Sequence, residues 1–248
     1  MITEVSQLIK EEYSVLAKKS ILKKTEVVFH MSNSSLYTRR SQAYSAKLFA
    51  YAPDTFKAFG EFNKQALAEG ALSVKVKELI AVGVAHITGC PYCIEAHVNK
   101  SKDQAVVLEE LVEAIAVASA VSAHSVFYHS VNTLAAFAGG AEGEDLYPAS
   151  NLEKIEEVEK ISEAQYTSFA AFVHHALQPG QLTAKEKLLI ALGSAHVTGS
   201  AYSIDIFARQ AKEIGVTLQE AAETIAVATA LKAGAALAHR VNTQQAFE

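Results

Sequence analysis

The chain has 248 residues, half of them apolar, with no tryptophan, four prolines and two cysteines; this length allows one large domain or two ordinary ones, and the composition favours closely packed helices. A formal net charge of −5 and a pI near 6.0 give nucleic-acid binding no footing. The opening MITEVSQLIKEE lacks the apolar core of a secretory signal, and no uninterrupted apolar run reaches membrane-spanning length. Two cysteines confined to one short motif suit a reducing, cytoplasmic setting, where such a pair more often cycles than staples. Val5, Leu8, Ile9 and Leu16 have helical spacing, so the first twenty residues read as an amphipathic helix. Lys18, Lys19, Lys23 and Lys24 form a basic cluster flanked by acidic residues, a solvated face rather than a phosphate site. MSNSS at 31–35 reads as a loop, and a helix is predicted over Tyr44 to Ala52, stopped by Pro53. Residues 1–52 are thus an N-terminal helical extension.

Phe56, Phe59, Phe62, Ala66 and Leu67 mark one apolar face of the next helix, which closes at Gly70. Lys75 to Thr88 is a strongly apolar helix broken at Gly89, just before a CPYC turn, and one or two alanine-rich helices run from Leu108 to Phe137. Gly139 to Ser150 has linker composition. After it the chain repeats itself. An offset of 110 holds without a gap from Phe56/Tyr166 to Phe137/Phe247, and nearly half the pairs from Leu72 onward are identical. Thr183 with Glu186 and Thr217 with Glu220 have capping-box spacing, which predicts helix starts near 184 and 218. The expected architecture is all-α: a first repeat over 53–138, a linker over 139–150 and a second repeat over 151–248.

Cys90 and Cys93 form the CxxC, with His97 four residues on and Glu78 twelve residues before Cys90. A helix from Pro91 would put Cys90, Cys93 and His97 on one face, with Cys90 at the N-terminus. There the unpaired amides favour thiolate over thiol, and His97 is placed to take the Cys93 proton. This reads as a redox dithiol. Zinc held by His86, Cys90, Cys93 and His97 is the alternative, but structural zinc is usually gripped from two separated loops. A second alternative is a pair of ordinary buried cysteines.

The two copies sharpen the choice. Under the offset, Glu78, Cys90, Cys93 and His97 face Leu188, Ser200, Ser203 and Phe207, so all four vanish together while the frame persists. His86, Tyr92, His129 and Asn132 survive as His196, Tyr202, His239 and Asn242, which assigns them to buried hydrogen bonding rather than chemistry.

The pattern E-x11-C-x2-C-x3-H on an all-α unit resembles the alkylhydroperoxidase D (AhpD-like) family, within the carboxymuconolactone decarboxylase superfamily. Pro53 to Phe137 looks like a full unit and Tyr166 to Phe247 like a degenerate one. Tyr92 departs from some members, which carry histidine there. The resemblance implies thiol-dependent reduction of hydroperoxides, with Cys93 as attacking thiolate, His97 as its base, Glu78 orienting His97, and Cys90 resolving the sulfenic acid into a disulfide. The order of attack within the CxxC stays open, because the helix end favours Cys90 and the histidine favours Cys93. Neither a metal nor a dissociable cofactor is implied; the redox couple would be the Cys90–Cys93 disulfide. A lipoyl carrier or a thioredoxin-like protein would re-reduce it, and related rings of subunits suggest a homo-oligomer, a trimer or else a dimer. A redox-responsive binding or assembly module with little turnover is the rival function.

Overall fold

The computed structural model describes residues 48–137 and 147–247, and the helix expected over the first twenty residues and the 31–35 loop lie outside them. The first copy runs as α1 (Pro53–Leu67), α2 (Val74–Thr88), α3 (Pro91–Asp103), α4 (Leu108–Tyr128) and α5 (Ser130–Phe137). A 3-10 turn (Ala149–Lys154) and α6 (Ile155–Ile161) lead to the second, α7 (Glu163–Leu177), α8 (Ala184–Thr198), α9 (Ala201–Glu213), α10 (Leu218–Ala238) and α11 (Arg240–Phe247). Each helix of the first copy has its counterpart 110 residues on, with identical boundaries. No strand occurs among the described residues.

Local chemistry sets these boundaries. The Ser73 hydroxyl accepts the Val76 amide at 3.3 Å to start α2. Thr183 and Glu186 close a capping box at α8, and Thr217 and Glu220 do so at α10, with backbone bonds of 3.2 Å and 2.8 Å in each. Gly89 and Gly199 end α2 and α8 in the left-handed region, at φ 65° and 73°.

Three expectations change in detail. Helix over Tyr44–Ala52 extends only to residue 49 among the described residues, because 50–52 turn before Pro53, and Pro53 then opens α1 with its preset φ. Phe62 is exposed, since α1 turns Asn63 inward beside Phe59, Ala66 and Leu67. Of the linker, 139–146 lie outside the described residues, but its last two residues, Ala149 and Ser150, open the 3-10 turn in which buried Asn151, the first residue of the second repeat, donates to the Tyr202 hydroxyl at 3.2 Å.

The two copies share one core. α2 and α8 pack against each other and against both long helices, α4 and α10. Their crossing is close: a methyl on Gly83 would lie 3.1 Å from Ile190 Cγ2, and one on Gly193 would lie 3.0 Å from Ile80 Cγ2. Leu79, Ile80, Leu189 and Ile190 are almost completely buried here. The first helix of each copy then crosses over, α1 onto α10 and α7 onto α4. Carboxylates cross in the same reciprocal way. Glu223 accepts the amides of Ala71 and Leu72 at 2.8 and 3.0 Å and pairs with Lys77 at 2.8 Å. Glu113 accepts those of Gln181 and Leu182 at 2.8 and 2.9 Å and pairs with Lys187 at 3.1 Å. Burial alone would raise the Glu223 carboxyl, but Lys77 and the two amides outweigh it and hold it at about 2.

No uninterrupted apolar run is found here either, but by length and composition the stretches Leu108–Leu134 and Leu218–Gln244 reach membrane-spanning size. Their inward residues, among them Ala114, Val117, Val121, Val227 and Leu231, form the centre of the core. Such a core helix passes the same test as a spanning one.

Candidate functional site

Cys90 sits at the N-cap of α3, in extended geometry, and its sulfur accepts the Cys93 amide at 3.2 Å. Pro91 fixes the first turn and has no amide to leave unsatisfied. The two cysteines are joined as a disulfide, with Cα atoms 5.3 Å apart. Cys90 is completely buried, whereas Cys93 lines a cleft. One turn further along α3, His97 lines the same cleft. Behind it, Glu78 reaches in from α2, and its carboxylate lies 2.7 Å from His97 Nδ1. Both partners are buried. That bond assigns the ring proton to Nδ1 and leaves Nε2 as the accepting nitrogen. The four residues singled out by their joint loss from the second copy therefore lie together: two sulfurs, an imidazole and its carboxylate.

The cleft, of about 270 Å³, lies between the copies. Phe59 and Asn63 of α1 and Tyr92, Cys93, Ala96 and His97 form one side. Ala230, Leu231, Gly234 and Ala238 of α10, with Arg240 and Val241 of α11, form the other. The sequence pattern passed over three of these. Gly234 and Ala238 leave room, and Arg240 brings a charge. Their counterparts, His124, Tyr128 and Ser130, differ in kind, so the offset that revealed the dithiol also held this signal. Tyr92 was assigned to structure, but it stands in the cleft wall, its ring 6.3 Å from that of His239.

At the corresponding place in the second copy the counterpart of Cys93 is closed off: Ser203 is completely buried, and the cleft there, of about 350 Å³, is lined by His124, Tyr128, Phe169 and Phe207 but not by Ser203. Ser200 caps α9 as Cys90 caps α3, accepting the Ser203 amide at 3.3 Å. Ser203 donates to Ser200 at 3.0 Å and meets His124 Nδ1 at 2.9 Å. The His124 ring stacks on Tyr128 at 3.9 Å and tilts against Phe207 at 4.8 Å. Burial lowers the His124 pKa to about 4, so it is neutral at ordinary pH. His86 and His196 keep the structural role expected of them, each bonding through Nδ1 to the carbonyl four residues earlier, at 2.8 Å. Among the described residues no cluster of three or more His, Cys, Asp or Glu side chains is arranged to hold a metal.

Comparison with known proteins matches the fold's internal repeat. Residues 53–136 and 164–243 each match the model of the carboxymuconolactone decarboxylase family. A 78-residue stretch, 32% of this chain and 70% of the relative, is 42% identical to "Uncharacterized protein 4 in cox locus" of Paracoccus denitrificans, a name that states no activity.

Proposed function

The chain belongs to the carboxymuconolactone decarboxylase family, and we propose that it is a thiol-dependent hydroperoxide reductase working through its first copy alone. The observation that carries this is the joint placement of Cys93 and His97 in one cleft, over a Cys90–Cys93 disulfide and with Glu78 2.7 Å behind the imidazole.

In the reduced protein His97 Nε2 takes the Cys93 proton, and Glu78 stabilises the imidazolium that forms. The Cys93 thiolate attacks the terminal oxygen of the hydroperoxide. An S–O bond forms, the O–O bond breaks, and the alkoxide leaves as the alcohol with the proton held by His97. Cys90 then attacks the sulfenic sulfur; the S–S bond forms and the S–O bond breaks. The departing hydroxide takes the Cys90 proton and leaves as water. Two thiols give up two electrons, and one hydroperoxide becomes one alcohol and one water. Cys93 is assigned the first attack because it lines the cleft while Cys90 is buried at the helix N-cap. There the Cys93 amide steadies the resolving sulfur.

A dithiol donor, a lipoyl carrier or a thioredoxin-like protein, returns the disulfide to thiols, and a reducing cytoplasm suits such cycling. A homo-oligomer, a trimer or a dimer, is the proposed assembly. The test is steady-state consumption of hydrogen peroxide and cumene hydroperoxide with dithiothreitol or dihydrolipoamide as donor. Turnover that disappears in Cys93→Ser supports the assignment. A wild-type rate no faster than the donor alone refutes it and favours a redox-responsive binding module.

A further inference from the structure

We propose that the cleft beside Cys93 is a site for an organic carboxylate, with the Arg240 guanidinium taking the carboxylate and the apolar walls taking the hydrocarbon. As a substrate assignment this rests on the hydroperoxide reading above: the favoured substrate is a hydroperoxide that bears a carboxylate. As a binding site it stands on the geometry alone.

Among the described residues Arg240 is the one permanently charged side chain lining the cleft, and no carboxylate lines it with Arg240. Phe59, Ala96, Ala230, Leu231, Ala238 and Val241 make the surroundings mainly apolar. The guanidinium is held in place, its carbon 4.7 Å from the Phe49 ring centroid and 5.8 Å from that of Phe56. One N–H donates to the Leu237 carbonyl at 2.5 Å, of the five donors an arginine carries. Its Nε is buried and has no partner among the described residues. Burial also lowers the Arg240 pKa, yet guanidinium remains charged at any ordinary pH. A positioned, half-buried cation with donors to spare has an unmet demand for an anion, and a carboxylate meets it with a charge-assisted pair of bonds.

The second copy supports the reading by contrast. Where the dithiol is lost, serine (Ser130) stands in the arginine's place, and the stacked rings of His124 and Tyr128 stand where the first copy's cleft has Gly234 and Ala238. The second copy's cleft, of about 350 Å³, is lined by neither a cysteine nor an arginine, so thiol and cation occur together, in the first copy's cleft.

Calorimetric titration of the disulfide form with octanoate and with octanol tests the site without thiolate or turnover. Octanoate is expected to bind at least about tenfold more tightly, the worth of one charge-assisted contact. Arg240→Gln should erase that preference and Arg240→Lys should keep part of it. Equal affinity of the unmodified protein for the two compounds overturns the proposal, and that comparison does not depend on any variant folding. In the reduced protein, the kcat/KM ratio of ring-carboxylated to plain cumene hydroperoxide should fall about tenfold in Arg240→Gln. If both substrates instead slow equally and the Cys93 thiol pKa rises, Arg240 serves the thiolate and the substrate assignment falls. Selective octanoate binding in a protein that consumes no hydroperoxide would end the peroxidase reading and leave the site standing.

Discussion

Two copies of one helical unit have kept the same frame and parted in chemistry. At the N-cap of α3 stands Cys90, and at that of α9 stands Ser200; both accept the amide three residues on, at 3.2 and 3.3 Å. Sulfur and oxygen serve the cap alike, so exchange of thiol for hydroxyl removes a sulfur that can form a disulfide without dismantling the helix start. Likewise the buried, hydrogen-bonded Glu78–His97 pair gives way to Leu188 and Phe207, an exchange of polar for apolar partners that a packed core accepts readily. What the second copy still supplies is a wall: α10 and α11 close the first copy's cleft, because the copies cross over rather than stand side by side.

The largest effect should come from erasing that contrast at Cys93. Cys93→Ser makes the first copy resemble the second and should lower hydroperoxide consumption at least about a thousandfold, since serine has no accessible anion at neutral pH. Cys90→Ser should permit one oxidation and stall, with dimedone labelling Cys93. Labelling of Cys90 in the Cys93→Ser protein would reverse the two roles.

His97→Phe, again the second copy's residue, should slow thiol oxidation by about a hundredfold at pH 7 and move the rate profile to higher pH, as the nearest base is lost. A profile identical to that of the unaltered protein would remove His97 from the mechanism.

The frame should answer symmetrically where the chemistry does not. Glu113→Gln and Glu223→Gln each leave a buried lysine, Lys187 or Lys77, without its carboxylate. Each should destabilise the fold by about 2–3 kcal/mol in urea titration. A difference between them larger than about 1 kcal/mol would break the equivalence of the copies.

The smallest effect concerns acid. Glu223 is held at about 2 against a usual value near 4.3. A depressed folded pKa gives stability that is present above the unfolded value and is lost as pH falls from about 4.3 to about 2. Partial contact with water limits this to about 1–2 kcal/mol. In Glu223→Gln the acid limb of the stability profile should flatten across that window.

How much of this was written in the sequence depends on the range of the contact. The offset of 110, the capping boxes at Thr183 and Thr217 and the turns at Gly89 and Gly199 are local signals, and the helices begin and end where these place them. Glu78, Cys90, Cys93 and His97 were legible as a set through their joint absence from the second copy. The crossing of α1 onto α10 and of α7 onto α4 was not, because an apolar face does not say which helix will cover it. Arg240 was hidden for the same reason: a single arginine near the chain's end acquires meaning only when α11 brings it to a cysteine 147 positions earlier.

Stopped-flow mixing of fully reduced protein with a hydroperoxide, with thiols titrated before and after, tests the central claim most directly. The account predicts that both thiols disappear, two for each hydroperoxide consumed, far faster than free cysteine reacts at the same pH. Thiols that persist, or that oxidise no faster than free cysteine, would contradict it.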